Sequence, residues 1–317
     1  MIRRIDLHIH TRFSEWKHLR AIHPRDSYNE PLQVFTRCKA AGMDIVAFTD
    51  HDTIDGALDL LSARPELEPE ILIGEEVEAR FPDTQQWVHV NVFGVDEATH
   101  DDMRRLRGDV RELVSYLKGR QLFHVLNHPF QSYHLQKPPA DYLHEILSLF
   151  EFFEVGNGTL PARHDKAVAE MIDVAASFYL TKYGVAGSDA HDERDIARQW
   201  TEVDLPGETC EKEQLLAALA RGEGRPAGGR IGPLALTANV YRIIGRYYLS
   251  LRDAEARKDL GVSGHVAAAL LAPACAIGVP AAVTLGNHLR LEAVVARVRH
   301  ELAHMQRQAA EAGETLA

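Results

Sequence analysis

The chain is poor in cysteine, in positive charge and in strongly apolar runs. Three cysteines, Cys38, Cys210 and Cys275, stand in 317 residues without a Cys-x-x-Cys pair. That excludes a disulfide scaffold and a thiolate zinc finger, and points to a reducing compartment. Lys and Arg number 35 against 46 Asp and Glu, a net charge of −11. Extended DNA binding is therefore not expected, because neutralising phosphates needs a basic face. A small positive pocket for a phosphorylated ligand stays open. The opening residues, Met-Ile-Arg-Arg-Ile-Asp-Leu-His, lack the apolar core of a secretory signal, so the expected location is cytoplasmic. One stretch, Leu260 to Leu289, carries no Asp, Glu, Lys or Arg. Pro273, Pro280, several Gly and an excess of Ala over Leu make it weakly apolar, so the expectation is a buried helical hairpin rather than membrane contact.

What is present fits a globular chain: 45% hydrophobic and 26% charged residues, at a length of one large or two ordinary domains. Periodicity predicts alternating strands and helices up to about residue 230. Ile5, Leu7 and Ile9 alternate with Asp6, His8 and His10 as a strand. Pro31 opens a helix carrying Leu32, Phe35 and Cys38 and closed by Gly42. Residues 44–49 read as a strand, 55–63 as a helix, 71–73 as a strand, and Val88, Val90 and Val92 as one strand face opposite His89. A charged amphipathic stretch (99–119), a strand (122–126), a helix (142–149), a strand (152–155), a helix (162–180) and a strand (184–188) follow. About seven β–α units favour a parallel sheet or barrel. Glycines and prolines between 222 and 233 read as a linker. The text beyond is helical and ends in a long amphipathic helix (288–312). The expected domains are 1–233 and 234–317, the second serving as a dimerisation element, a lid or a docking surface.

Seventeen histidines matter by position. His8 and His10 lie two apart on one strand, so both imidazoles face one side. Thr49-Asp50-His51-Asp52-Thr53, Gly74-Glu75-Glu76, His89, Asn127-His128-Pro129 and Ser188-Asp189-Ala190-His191 stand at or beside the ends of successive predicted strands. In barrels such positions converge on one catalytic face. Singly, each has an ordinary structural explanation; the recurrence does not. Imidazole mixed with carboxylate suits Mn, Zn or Fe rather than Mg or Ca, and no serine or cysteine sits in a nucleophile motif.

These motifs resemble the polymerase-and-histidinol-phosphatase (PHP) family over residues 2–231, including Glu213–Gly222, which is similar to that family's closing helix. The resemblance implies an α/β fold, a distorted (β/α)7 barrel of the PHP type here followed by an all-helical C-terminal extension. It also implies two to three divalent ions. His8, His10, Glu76 and Asp189 would hold the first, and Glu76, shared with His89 and His128, the second. His51, His191 and an acid after the first motif would hold the third. Family members usually place Asp five residues after His-x-His; here that position is Glu15. His8, His10, Glu76, Asp189 and His191 are thus the expected catalytic set. The implied activity is phosphoester hydrolysis by a metal-bridged hydroxide, on a small phosphorylated metabolite or nucleotide. A nuclease on short oligonucleotides, a non-catalytic metal-stabilised module with a binding tail, and an amide or lactone hydrolase are the alternatives. Arg20, His23, Arg25, Arg194 and Arg198 are candidate phosphate contacts, and Asn157 matches a family position near the substrate. The uncharged tail segment leads to an expected homodimer, with Leu270, Leu271, Ile277, Val279 and Val283 in a helix–helix or subunit contact.

Overall fold

A computed structural model describes residues 1–14, 25–131, 138–207, 209–252 and 254–315, leaving out the side chains of 254–263, 265 and 312–315. Seven strands form a mixed sheet that curls into a nearly closed barrel: β1 (Ile2–Asp6), β2 (Ile45–Phe48), β3 (Ile71–Arg80), β4 (Trp87–Phe93), β5 (His124–Asn127), β6 (Phe152–Asn157) and β7 (Tyr183–Gly187). Two more, β8 (Gln199–Asp204) and β9 (Arg225–Gly228), extend the sheet beyond β1, in the order β7-β6-β5-β4-β3-β2-β1-β8-β9. The seam between β1 and β7 is bridged through their C-terminal extensions. Asp189 donates its N–H to the His8 carbonyl (2.7 Å), and Ser188 N–H reaches the Asp6 carboxylate (2.8 Å).

The alternation expected from periodicity is present, with instructive departures. Helices α1 (Pro31–Ala40) and α2 (Asp55–Ala63) connect β1, β2 and β3, which pair in parallel. In α1 the buried positions are Pro31, Val34 and Cys38, while Leu32 is exposed; Gly42, at φ +86°, ends the turn after the helix. β4 pairs antiparallel with both β3 and β5. Residues 81–86 between β3 and β4 are too few for a crossover helix, so the chain turns back as a hairpin. The charged stretch is two helices, α3 (Glu97–Leu106) and α4 (Val110–Gly119), each capped by an aspartate, Asp96 and Asp109. α5 (Pro139–Leu149) and α6 (Ala162–Ser177) complete the parallel β5-β6-β7 units, and α7 (Lys212–Ala220) lies between β8 and β9.

The C-terminal helices are α8 (Pro233–Ser250), α9 (Ala254–Ala276) and α10 (Val279–Thr315). Leu291, Val294, Val295, Val298 and Leu302 of α10 are buried in one cluster with Val168 and Met171 of α6 and Ile146 of α5. One bidentate and one single ion pair reinforce that seam, Arg299 to Glu170 and Arg163 to Glu292. The tip of the α9–α10 hairpin differs from the sequence expectation within the chain itself. Leu270, Leu271, Ile277, Val279 and Val283 are all exposed, so no intrachain helix covers them. No single helix among the described residues is long and apolar enough to cross a membrane. The pair Val266–Ala276 and Val279–Glu311, bent by 73°, meets that length and composition only when taken together.

Candidate metal centre

The strand ends at one mouth of the barrel carry the predicted ligands. β1 stops at Asp6, and His8 and His10 follow on an extended segment pinned by Ile9, which bridges Ala190 on one side. Its N–H is bound by Thr49 Oγ1 on the other (2.9 Å). Gly187 has to be glycine here, because a Cβ would collide with the His8 backbone and Cβ. β3 does not end at Glu76 but runs through it to Arg80, and His51 bridges it laterally. His89 lies on β4 opposite Glu78. Three residues of the mouth have left-handed backbone conformations: Asp52 (φ +51°), His128 (φ +26°) and Asp189 (φ +52°). Such strained positions concentrate at functional sites.

Glu76 is the hub. It is fully buried, and its two oxygens face different partners. Oε2 lies 3.2 Å from His8 Nε2, 3.3 Å from His10 Nε2 and 3.0 Å from His51 Nδ1. Oε1 lies 3.2 Å from both His89 Nδ1 and His128 Nε2. Asp189 Oδ1 stands 3.4 Å from each of His8 Nε2 and His10 Nε2. A third group surrounds Asp26, whose Oδ2 is 3.0 Å from His191 Nε2 and 3.1 Å from His51 Nε2. These residues form four overlapping clusters with metal-ligand chemistry, among them His8–His10–Glu76, His51–Glu76–His89 and His10–Asp26–His51–His191.

The fit to cations can be tested on separations. Four ligands bonded tetrahedrally at about 2.0–2.1 Å stand about 3.3 Å apart. The His8 and His10 Nε2 atoms stand 3.2–3.4 Å from Glu76 Oε2 and Asp189 Oδ1. His8 Nε2, His10 Nε2, Glu76 Oε2 and His89 Nδ1 are moreover buried without a hydrogen-bond partner among the described residues. Four orphaned ligand atoms pointing at one another are costly in a folded protein unless a cation satisfies them.

The opposite ring nitrogens are fixed from behind. His8 Nδ1 donates to Glu154 Oε1 (2.7 Å), since the carboxylate has no proton to give, leaving Nε2 for the cluster. His10 Nδ1 pairs with Ser14 Oγ (3.0 Å), and His191 Nδ1 with the Asp189 carbonyl (3.0 Å). Asn157 Nδ2 donates to both Glu154 Oε2 (2.9 Å) and Asp189 Oδ2 (3.1 Å). A β-bulge between Glu154 and Gly156 breaks the strand's alternation, and Glu154 and Asn157, three residues apart, both reach the cluster.

The electrostatics follow from burial and density of charge. Burial favours neutral Glu76, but His8, His51, His89 and His128 outweigh it and hold the carboxyl well below its usual range. Burial likewise opposes a charged His89 and His191, yet Glu76 raises the first to about 9 and Asp26 raises the second to about 9. His10, desolvated and facing His191, is pushed down to about 3. Asp50, buried and bound by Thr11, is raised by desolvation to about 6.

Of the predicted residues, His8, His10, His51, Glu76, His89, His128, Asp189 and His191 all meet in this mouth. Glu15, Arg20 and His23 lie outside the described residues. Glu75 points the other way and pairs with His100 (2.7 Å). Arg25 turns its guanidinium to the Arg12 carbonyl (2.6 Å), and Arg194 and Arg198 are exposed. Asn157 is buried behind the ligands. Asp26 and Glu154 were not singled out from sequence. Glu154 carries a signal, an acid within the apolar run Phe152–Val155; Asp26, in a polar loop, carries none.

The barrel mouth thus gathers six histidines and two aspartates around Glu76, a donor set suited to metal cations. The chain belongs to the PHP family. The family model for the PHP domain matches residues 6–170, more than half of the 317, and that for the PHP-associated region matches residues 176–223. Among curated proteins, an uncharacterized protein of Methanocaldococcus jannaschii is 36% identical over 72 residues, 23% of this chain and 42% of that one. The match thus spans less than half of that relative's length. Among solved structures, PsfC from Pseudomonas syringae is similar in fold at TM-score 0.52 and 18% identity, over 76% of this chain and 98% of that one. A putative metal-dependent phosphoesterase from Bifidobacterium adolescentis aligns at TM-score 0.46 and 16% identity, over 69% and 96%.

Proposed function

We propose that the chain is a metal-dependent phosphoesterase acting on a small phosphorylated metabolite or nucleotide. The observation that carries this reading is the division of Glu76, with Oε2 toward His8 and His10 and Oε1 toward His89 and His128. A carboxylate so divided suits two adjacent cations. In this reading His8, His10, Glu76 and Asp189 hold one ion, Glu76, His89 and His128 a second, and His51, His191 and Asp26 a third. Bound there, Mn, Zn or Fe ions would supply Lewis-acid charge to phosphoryl oxygens and acidify a water.

The chain's own residues prepare that site. Glu154 and Ser14 set the ring orientations of His8 and His10, and Asn157 keeps Asp189 aimed inward while holding Glu154. The net charge of −11 supports a small substrate over a long nucleic acid, whose binding needs a basic track. The exposed Leu270, Leu271, Ile277, Val279 and Val283 support the expected homodimer, which light scattering of detergent-free protein would report as twice the chain mass. The function itself is tested by a panel of phosphomonoesters, nucleotides and short oligonucleotides, with and without Mn or Zn. Release of inorganic phosphate from monoesters is expected; cleavage confined to oligonucleotides would move the assignment to a nuclease.

A further inference from the structure

Two of the four residues in the third cluster, Asp26 and His191, stand on loops rather than on strands of the barrel. His191 sits on the loop after β7 and Asp26 on the loop before α1, and the two side chains meet at 3.0 Å. Both loops meet α8, the first by hydrogen bonds and the second by packing. Asn239, Arg242, Arg246 and Ser250 recur at helical spacing and so share one face. Arg242 Nε donates to Asp192 Oδ2 (3.0 Å), Asn239 Nδ2 to Asp195 Oδ2, and Arg246 Nη2 to Glu193 Oε1 (3.4 Å). Asp192, the neighbour of His191, is 1% exposed; its other oxygen accepts the Arg194 N–H and shapes the turn. At the far end of α8, Tyr28, two residues from Asp26, packs against the cluster of Tyr247 and Ala268.

We propose that α8 is a positioning element for the His10–Asp26–His51–His191 metal group, with Arg242 as its main positioning residue. This rests on the reading above that the centre holds cations. The C-terminal extension then acts on the site by fixing where two of its ligands stand, without touching substrate. Among the described residues no hydrogen bond from α8 reaches His89, on β4, or His128, just after β5, so the effect falls on one ion. Losing Arg242 leaves the buried Asp192 carboxylate without its counter-charge and frees the His191 turn. Partners behind metal ligands alter affinity by roughly ten- to a hundredfold.

The test follows zinc retention by the full chain across a graded chelator series, with metal counted by inductively coupled plasma spectrometry and folding checked by circular dichroism. In Arg242→Gln one ion should leave at a ten- to hundredfold lower chelator concentration, while the other two are held as in the parent. Arg242→Lys, which restores the charge, should recover part of that loss. Arg299→Gln cuts the α10 pairing with Glu170 far from both loops and should change nothing. Tyr28→Ala removes the packing against Tyr247, and should weaken the same ion even if Arg242→Gln folds poorly. Three ions held with parental affinity in Arg242→Gln and Tyr28→Ala would overturn the proposal and leave the metal centre standing. Equal weakening of all ions, or the same effect in Arg299→Gln, would overturn it too. A parent chain that holds no zinc would remove the centre itself and the proposal with it.

Discussion

Replacing Glu76 by Gln keeps the side chain's shape and removes one buried charge. In the metal-free chain that charge is what raises His89: burial pulls the imidazole down, and Glu76, with its Oε1 3.2 Å from Nδ1, brings it to about 9. Against an ordinary 6.5, the rise is worth about 3 kcal/mol at about 1.4 kcal/mol per pKa unit. Without Glu76, desolvation and the facing His51 both act against the charged ring, and only Glu78, 3.7 Å from Nε2, still favours it. His89 should therefore titrate well below 9 in Glu76→Gln. Nuclear magnetic resonance of ring-labelled histidine, from pH 5 to 10 in the metal-free protein, measures this directly, with His89→Gln assigning the signal. A His89 that still titrates near 9 in the variant would refute the argument that Glu76 is the electrostatic hub. The same variant should hold at least one ion fewer than the parent.

Linkage gives the next expectation. Folded His89 and His191, each at about 9, lie above their unfolded value, so they stabilise the metal-free chain fully below pH 6.5. That contribution fades as pH rises through 9, by up to about 3 kcal/mol each. Cations need the deprotonated rings, so the melting-temperature gap between zinc-loaded and metal-free protein should widen from pH 6.5 to 9; a constant gap would contradict this. Leu302→Ala should cost about 2–4 kcal/mol in denaturant unfolding, because this α10 side chain is 2% exposed in the core shared with α6; a cost below about 0.5 kcal/mol would deny that packing. Gly187→Ala should displace His8 and lower metal loading, since the added Cβ meets the His8 backbone; full loading would show that the strand yields instead. His8→Ala and Asp189→Ala should each abolish turnover while circular dichroism stays unchanged.

Much of the barrel is legible in sequence because its strands are short and apolar on both faces, as in Ile45–Phe48, where all four residues are buried. The ligands are legible for the same reason: polar, titratable residues such as His51 and Asp189 interrupt those runs where buried strands end. β8 and β9 escape the pattern. Gln-Trp-Thr-Glu-Val-Asp alternates weakly, and Arg225–Gly228 contains Pro and Gly, so its pairing with β8 comes from tertiary context. The reversed direction of β4 lies in a loop length rather than in a periodicity. Asp26 is invisible for a different reason, since it joins His51 and His191 across the fold from a loop with no strand of its own. The tail reads from sequence only as helical, and only the fold shows that α8 meets the His191 loop through Asn239, Arg242 and Arg246.

The most direct test of the account is hydrolysis of p-nitrophenyl phosphate by the full chain stripped of metal and then titrated with Mn or Zn. The account predicts no release of p-nitrophenol from the stripped protein, turnover that rises as the second ion binds, and none in Glu76→Gln at any metal concentration. Two or more bound ions per chain with no hydrolysis of this ester or of any phosphomonoester tried would contradict it.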